Sequence, residues 1–425
     1  MHPMRSTVVA TIVVALLAAL AAPALGQQGP DPNVEILAAG IVNGHILRVE
    51  IATSGLDPRA AEIPSVDLEA WLDGVEAHGS LLLIHMPRRF AMDIDLPGGA
   101  VRVGVVKVGE FAPVQPFTDN VRFPIQITLR QEARAATASR IVTILLPTVI
   151  VPGYMNELGG RSKETLASFI RRGYRDSGPA PTVFWFDYPS HLITLEKGAH
   201  RLADYIRHVV LAQTYAAKIN VVGYSFGGLM ARWNVQMDVD GWGTLVNRLI
   251  LVGVPNEGSV LAYTYRNAPT FLPYAYFAHS PAVDEMTPTF PFWRAEPTQP
   301  WDMPPDGGNP MLEQLNARSM PEGIRVWVFY GSGQQGDANT MAGVTASPRG
   351  GDRDAGDGIV LAASAQGLPI HGGSGVPALL TPDVVHVDLG GVEHRVILAA
   401  GADRFADAVL DRFLEADPSS ARIHP

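Results

Sequence analysis

At 425 residues, with 47% hydrophobic and only 17% charged side chains, the chain can bury a large core and is long enough for two domains. Its formal charge of −10 argues against a polyanion partner such as nucleic acid. It has no cysteine, which excludes disulfides, thiol catalysis, Cys-ligated zinc and lipidation at an N-terminal Cys.

Residues 1–26 read as a signal peptide. Arg5 supplies the positive start, Val8 to Ala22 the apolar stretch, and Ala24-Leu25-Gly26 a small-x-small cleavage site before polar Gln27-Gln28. The mature chain is therefore expected to be exported, cut near Gly26; an uncleaved N-terminal anchor is the alternative.

Residues 34–130 carry short alternating runs: His45 to Ile51, Leu68 to Leu72, Ser80 to Met86, Phe90 to Ile94, Ala100 to Val108 and Val121 to Leu129. Turn residues separate them, as in Asp73-Gly74 and Pro97-Gly98-Gly99. In Leu47-Arg-Val-Glu-Ile51 every second residue is apolar, as in a strand with one face in a core. This predicts an all-β, immunoglobulin-like sandwich domain. No cluster of acids, histidines or basic groups gathers in it, so a supporting role is favoured over a binding one. Gln131 to Arg140 is polar and rich in Ala and Arg, and reads as a linker.

From 141 to 418 strands and helices alternate, which predicts a mostly parallel sheet covered by helices. Strands are expected at Thr148–Val151, Pro181–Phe186, Ile219–Val222, Arg248–Val254, Ile324–Tyr330 and Val384–Leu389. Helices are expected at Leu166–Tyr174, Lys197–Ala217 and Arg404–Glu415. An insertion at about 260–320 interrupts the alternation. It is rich in Pro and aromatics, among them Phe271, Tyr274, Phe277 and Trp293. An insertion of this length at this place reads as a lid.

The chemistry centres on Gly223-Tyr-Ser-Phe-Gly227, which follows an apolar strand and opens a helix. Such an elbow exposes a serine, Ser225, in a strained turn at a helix N-terminus, where free N–H groups favour developing negative charge. Glycine on either side lets strand and helix pass closely. A serine nucleophile needs a base, and the base a carboxylate. His394, just beyond the last strand in Gly390-Gly-Val-Glu-His394, is the first candidate base; His386, inside that strand, is the second. Asp357, between Gly356 and Gly358, is the candidate acid. Asp352 and Asp354 compete with it, and a solvated loop or a calcium site is the alternative for all three. For the oxyanion, Phe226 offers one backbone N–H, and Tyr154 or Met155, after Val151-Pro-Gly153, offers the other.

Gly-Tyr-Ser-Phe-Gly227, Gly253-Val-Pro-Asn-Glu-Gly-Ser259, Tyr330-Gly-Ser-Gly333, Gly356-Asp-Gly-Ile-Val360 and His394 occur in one order. The order resembles the lecithin:cholesterol acyltransferase-like lipases of the α/β-hydrolases, and more loosely the relatives of GPI-inositol deacylase. Pro152-Gly153 stands where many lipases have His-Gly, and Gly253-Val-Pro where Gly-Thr-Pro is common. The resemblance covers about 146–415 and implies Ser225 as nucleophile, Asp357 as acid, His394 as base and acyl esters as substrates. On that reading the chain is a serine lipase or esterase needing no cofactor or metal. Phe271, Tyr274, Phe277 and Trp293 would wall the acyl pocket, and the lid could touch a lipid surface transiently. An acyltransferase with the same triad, a peptidase or amidase, and a non-catalytic binding protein on a hydrolase fold are the rival readings.

Overall fold

A computed structural model describes residues 31–42, 45–58, 60–72, 75–83, 88–110, 115–155, 182–259, 261–262, 266, 280–288, 309–332, 359–368, 375–390 and 394. The signal peptide, the helices expected at 166–174 and 404–415, Asp357 with its acidic neighbours, and the lid aromatics Phe271, Tyr274, Phe277 and Trp293 lie outside the described residues. Among the described residues no helix is long and apolar enough to cross a membrane.

The first half is all-β. Its strands are β1 (Asn33–Val42), β2 (Ile46–Ser54), β3 (Ser65–Leu72), β4 (Val75–Leu82), β5 (Arg89–Asp95), β6 (Ala100–Val103), β7 (Val106–Glu110), β8 (Val121–Gln131) and β9 (Arg134–Ile144). They pair antiparallel in the order β1-β2-β5-β6-β7-β4-β3-β8-β9. The sandwich expectation is corrected here: the strands bond into one continuous sheet rather than two. The sheet curls around a single core that includes Leu47, Val49, Ile51, Leu68, Ile94 and Ile127. Arg140 on edge strand β9 donates to the carbonyls of Ile36 and Leu37 on the opposite edge strand β1, at 3.2 and 2.9 Å. Repeated short strands with one buried face do not distinguish one curled sheet from two stacked ones, because both bury alternate residues.

Residues 131–140, expected to be a linker, are also corrected. They end β8 and form most of β9, joined by a turn in which Glu132 takes φ 55°. The pairing is continuous from Gln131↔Arg134 to Val121↔Ile144. Up to Arg140 no β9 residue is fully buried, so it carries small and polar residues and lacks the hydrophobic alternation of an inner strand.

The second half is built on β10 (Thr148–Val151), β11 (Val183–Trp185), β12 (Ile219–Tyr224), β13 (Val246–Val252), β14 (Arg325–Tyr330) and β15 (Val384–Asp388). All pair parallel, in the order β11-β10-β12-β13-β14-β15. β13 is buried along its whole length, which explains its unbroken run Val-Asn-Arg-Leu-Ile-Leu-Val: both faces of the sheet are covered. Among the described residues the two longest α-helices of this half are α1 (Leu195–Tyr205) and α2 (Phe226–Gln236). α1 is capped by Thr194, whose hydroxyl accepts the Lys197 N–H. The long helix expected over 197–217 ends at 213: α1 runs on as a π-helical turn (Ile206–Val210) and a 3-10 turn (Leu211–Gln213). Tertiary pairing overrides its periodicity: the Phe117 carbonyl accepts the Ala217 N–H at 2.8 Å, and Thr214 is extended.

Asp119, in the strand connection before β8, ties the two halves together. One carboxylate oxygen accepts from Asn247 Nδ2 at 2.8 Å and from the fully buried Arg248 at 3.0 Å; the other accepts from Arg325 at 2.6 Å. These partners stand at the starts of β13 and β14. The half-barrel thus docks on the end of the parallel sheet opposite the carboxyl ends of its strands. Burial pushes the Asp119 pKa up, but Arg248, the Asn120 N–H, Asn247 and Arg325 outweigh it and hold the carboxyl below its usual 3.8. A depressed acid stabilises fully above the unfolded pKa and loses that contribution as pH falls through the folded one. Asp119→Asn is expected to cost about 2–4 kcal/mol at pH 7, since it removes the negative charge that faces the fully buried Arg248. In thermal melts the gap to the parent should narrow as pH drops below 3.8.

Candidate active site

The elbow forms where β12 gives way to α2. Ser225 has φ 51° and ψ −126°, a left-handed turn that a non-glycine residue adopts only when its surroundings hold it there. Its N–H donates to the Val252 carbonyl at 2.9 Å, and its carbonyl accepts the Gly228 N–H at 2.9 Å. The turn demands bare backbone around it. A β-carbon on Gly223 would lie 2.6 Å from Gly228 Cα. One on Gly227 would lie 2.2 Å from the Pro152 carbonyl oxygen and 2.3 Å from that of Val151.

The loop after β10 closes over this turn. A β-carbon on Gly153 would sit 2.8 Å from Ser225 Cβ, so the Pro152–Tyr154 backbone runs directly against the nucleophile candidate. Phe226, the first residue of α2, is fully buried. Tyr154 and Met155 are the two donors considered on the opposite loop. The Met155 N–H is already given to Ser190 Oγ at 2.7 Å, which corrects the expectation that it could serve equally.

His394 lies against Tyr224, the residue before Ser225. It is buried, and its ring lies on Tyr224, with centroids 5.0 Å apart and planes inclined at 32°. The Tyr224 hydroxyl donates to the His394 carbonyl at 2.7 Å. Tyr224 thus fixes the backbone of His394 beside the residue preceding Ser225. Its role is not signalled by the elbow pattern, where that position is free. His386 is placed differently: it sits midway along β15, in register with Val328, and its Nε2 lies 2.9 Å from the Leu379 carbonyl. That carbonyl ends a short 3-10 turn, Pro377–Leu379.

A second buried framework holds the loop beyond β13. Arg232 on α2 donates to Gln236 Oε1 at 2.8 Å, Asn256 Oδ1 at 2.8 Å and Asn316 Oδ1 at 3.0 Å. Burial lowers its pKa to about 9, against the pull of the Glu257 charge. The same loop grips the segment that starts two residues after Asp357: Ser259 Oγ donates to the Ile359 carbonyl at 2.8 Å, and Asn256 Nδ2 to that of Ala365 at 2.6 Å. Within the insertion at about 260–320, Glu285 accepts the Leu195 N–H at the start of α1, and burial raises its pKa to about 7. Among the described residues no three His, Asp or Glu side chains gather as a metal site.

A left-handed serine between a parallel strand and a buried helix, faced by the loop of the neighbouring strand, decides the fold. The second half of the chain has the α/β-hydrolase fold. Residues 146–251, about a quarter of the sequence, match the family model Lipase (class 2). That stretch runs from before β10 to β13 and contains both Gly153 and the elbow of the hydrolase half. The sequence matches none of the curated proteins. Among solved structures it is similar to the Bacillus licheniformis lipase BlEst2 in its mature form, at 16% identity over 63% of this chain and 91% of that one, with a TM-score of 0.43. It is also similar to phospholipase PlaB from Legionella pneumophila, at 14% identity over 52% and 45% of the two chains, with a TM-score of 0.37. Carboxylesterase CesB from Bacillus subtilis shares 9% identity over 69% and 88%, with a TM-score of 0.32. The matched family and the lecithin:cholesterol acyltransferase-like lipases share the superfamily, and the matches go no further towards that narrower group.

Proposed function

We propose that the protein is an exported serine hydrolase that cleaves carboxylic esters with hydrophobic acyl chains. Ser225 Oγ attacks the ester carbonyl while His394 takes its proton. The tetrahedral oxyanion is met by the backbone N–H groups of Phe226 and Tyr154. His394 returns the proton to the departing alkoxide, leaving an acyl-serine. Water then attacks, giving its proton to His394, and the acid and free serine are released. Asp357 orients the imidazole and offsets its charge. The aromatic insertion at 260–320 supplies the apolar wall for the acyl chain.

The observation that carries this reading is the convergence on one turn. Gly153 lies against Ser225 and Tyr224, and His394 is stacked on Tyr224. The class 2 lipase match over 146–251 agrees with an ester substrate. Export rests on the character of residues 1–26.

Hydrolysis of p-nitrophenyl esters from acetate to palmitate tests the substrate class. Cleavage that extends to the long chains is expected. Cleavage of acetate and butyrate alone would remove the lipid part and leave an esterase; no cleavage of any ester would contradict the proposal.

A further inference from the structure

The loop after β11, residues 186–194, has no place in the reaction just described, yet two of its buried side chains grip the oxyanion loop. The Tyr188 hydroxyl donates to the Pro152 carbonyl at 2.6 Å. Ser190 Oγ accepts the Met155 N–H at 2.7 Å. Tyr188 is 4% exposed and Ser190 is fully enclosed. The two bonds fall on either side of Gly153-Tyr154. That is the stretch pressed against Ser225, and it carries the N–H assigned to the oxyanion.

We propose that Tyr188 and Ser190 are positioning residues that aim the Tyr154 N–H at the oxyanion. The inference rests on the serine-hydrolase reading and deepens it. The direction of a backbone N–H follows from the plane of its peptide. Here the carbonyl one peptide before that plane and the N–H one peptide after it are both held from the same neighbouring loop. Met155 has φ 59°, in the left-handed region that costs a side-chain-bearing residue energy. The Ser190 bond holds the chain in that turn and stops the loop relaxing to an ordinary conformation. A third tie reaches the Tyr154 side chain, whose hydroxyl accepts from Ser280 Oγ at 3.0 Å. Neither Tyr188 nor Ser190 touches the reacting atoms. Their effect passes through the placement of one donor, and oxyanion donors act only when fixed in advance of the charge they meet.

The test compares the parent with Ser190→Ala and Tyr188→Phe in the full chain. Tyr188→Phe removes only a hydroxyl. Its ring remains stacked on Phe186, at 5.4 Å between centroids and 19° between planes, so it stays informative if Ser190→Ala does not fold. Each variant is expected to lose about 10- to 100-fold in kcat/KM, carried by kcat with KM little changed. An alkyl trifluoromethyl ketone, which forms an oxyanion on Ser225, should lose affinity by the same factor. A merely structural role would lower the melting temperature and leave the kinetics and ketone affinity of the folded enzyme unchanged. That result in an active parent overturns the inference. A parent that neither cleaves the ester nor binds the ketone overturns the serine-hydrolase reading instead.

Discussion

Ser225→Ala is expected to reduce kcat on a long-chain p-nitrophenyl ester by about 10⁴-fold or more, with the melting temperature unchanged within a few degrees. The size of the loss follows from the chemistry. Without the hydroxyl no acyl-enzyme forms, and only substrate binding and the oxyanion donors are left to help water. Stability should survive because no hydrogen bond that defines the elbow uses the side chain. The Val252 carbonyl and the Gly228 N–H both bond the Ser225 backbone. Alanine still has to accept φ 51°, as serine does now. His394→Ala should cost a similar factor, and combining it with Ser225→Ala should add almost nothing, because nucleophile and base act as one unit. His386→Ala should leave kcat near the parent's, since its ring faces the Leu379 carbonyl. Equal losses for the two histidine variants would show that the base is misassigned.

Gly227→Ala is expected to damage both the stability and the rate of the enzyme. Its β-carbon would fall 2.2 Å from the Pro152 oxygen and 2.3 Å from the Val151 oxygen, both backbone atoms at the end of β10. A methyl needs roughly 1 Å more than that. Either α2 shifts away from the sheet, or the loop that opposes Ser225 shifts away from the elbow. Overpacking of this kind costs about 1–3 kcal/mol or somewhat more. A displacement near 1 Å at the oxyanion loop costs about 100-fold in rate. We therefore expect a lowered melting temperature together with a fall in kcat that persists at temperatures where the variant is fully folded. Gly323→Ala is the control. Gly323 has φ 80° and nothing within 4 Å of a β-carbon, so only backbone strain is added, far from the site, and kcat should not change.

What could be read from the amino acids alone follows the physics of each segment. The elbow was legible because its glycines are required by contacts within a few residues and its flanking strand is an unbroken apolar run. β10 and all but the first residue of β14 were legible for the second reason, and β15 by its valines around His386. The curling of β1 to β9 into one sheet was not, since alternation reports a buried face and says nothing of which strands share it. β9 was hidden by its Ala/Arg-rich edge character, and the end of the helical path at Gln213 by the pairing of residues 215–217 with Phe117, almost a hundred residues upstream. At the site, Ser225 and His394 stand out by residue type and order along the chain. Tyr188, Ser190 and Tyr224 do not. They act through single hydrogen bonds to backbone atoms of distant segments, and a Tyr or Ser in a loop carries no pattern that points to such a partner. Asp119 is of the same kind: one acid whose partners, Asn247, Arg248 and Arg325, lie on two strands of the other half.

The central claim is that one serine, made reactive by its setting, forms a covalent intermediate. The most direct measurement is mass spectrometry of the full chain after exposure to a serine-reactive fluorophosphonate. The expected result is a single phosphonyl adduct that peptide mapping places on Ser225, strongly slowed in His394→Ala and absent in Ser225→Ala. A folded protein that gains no adduct, or gains it on another residue, would contradict the account.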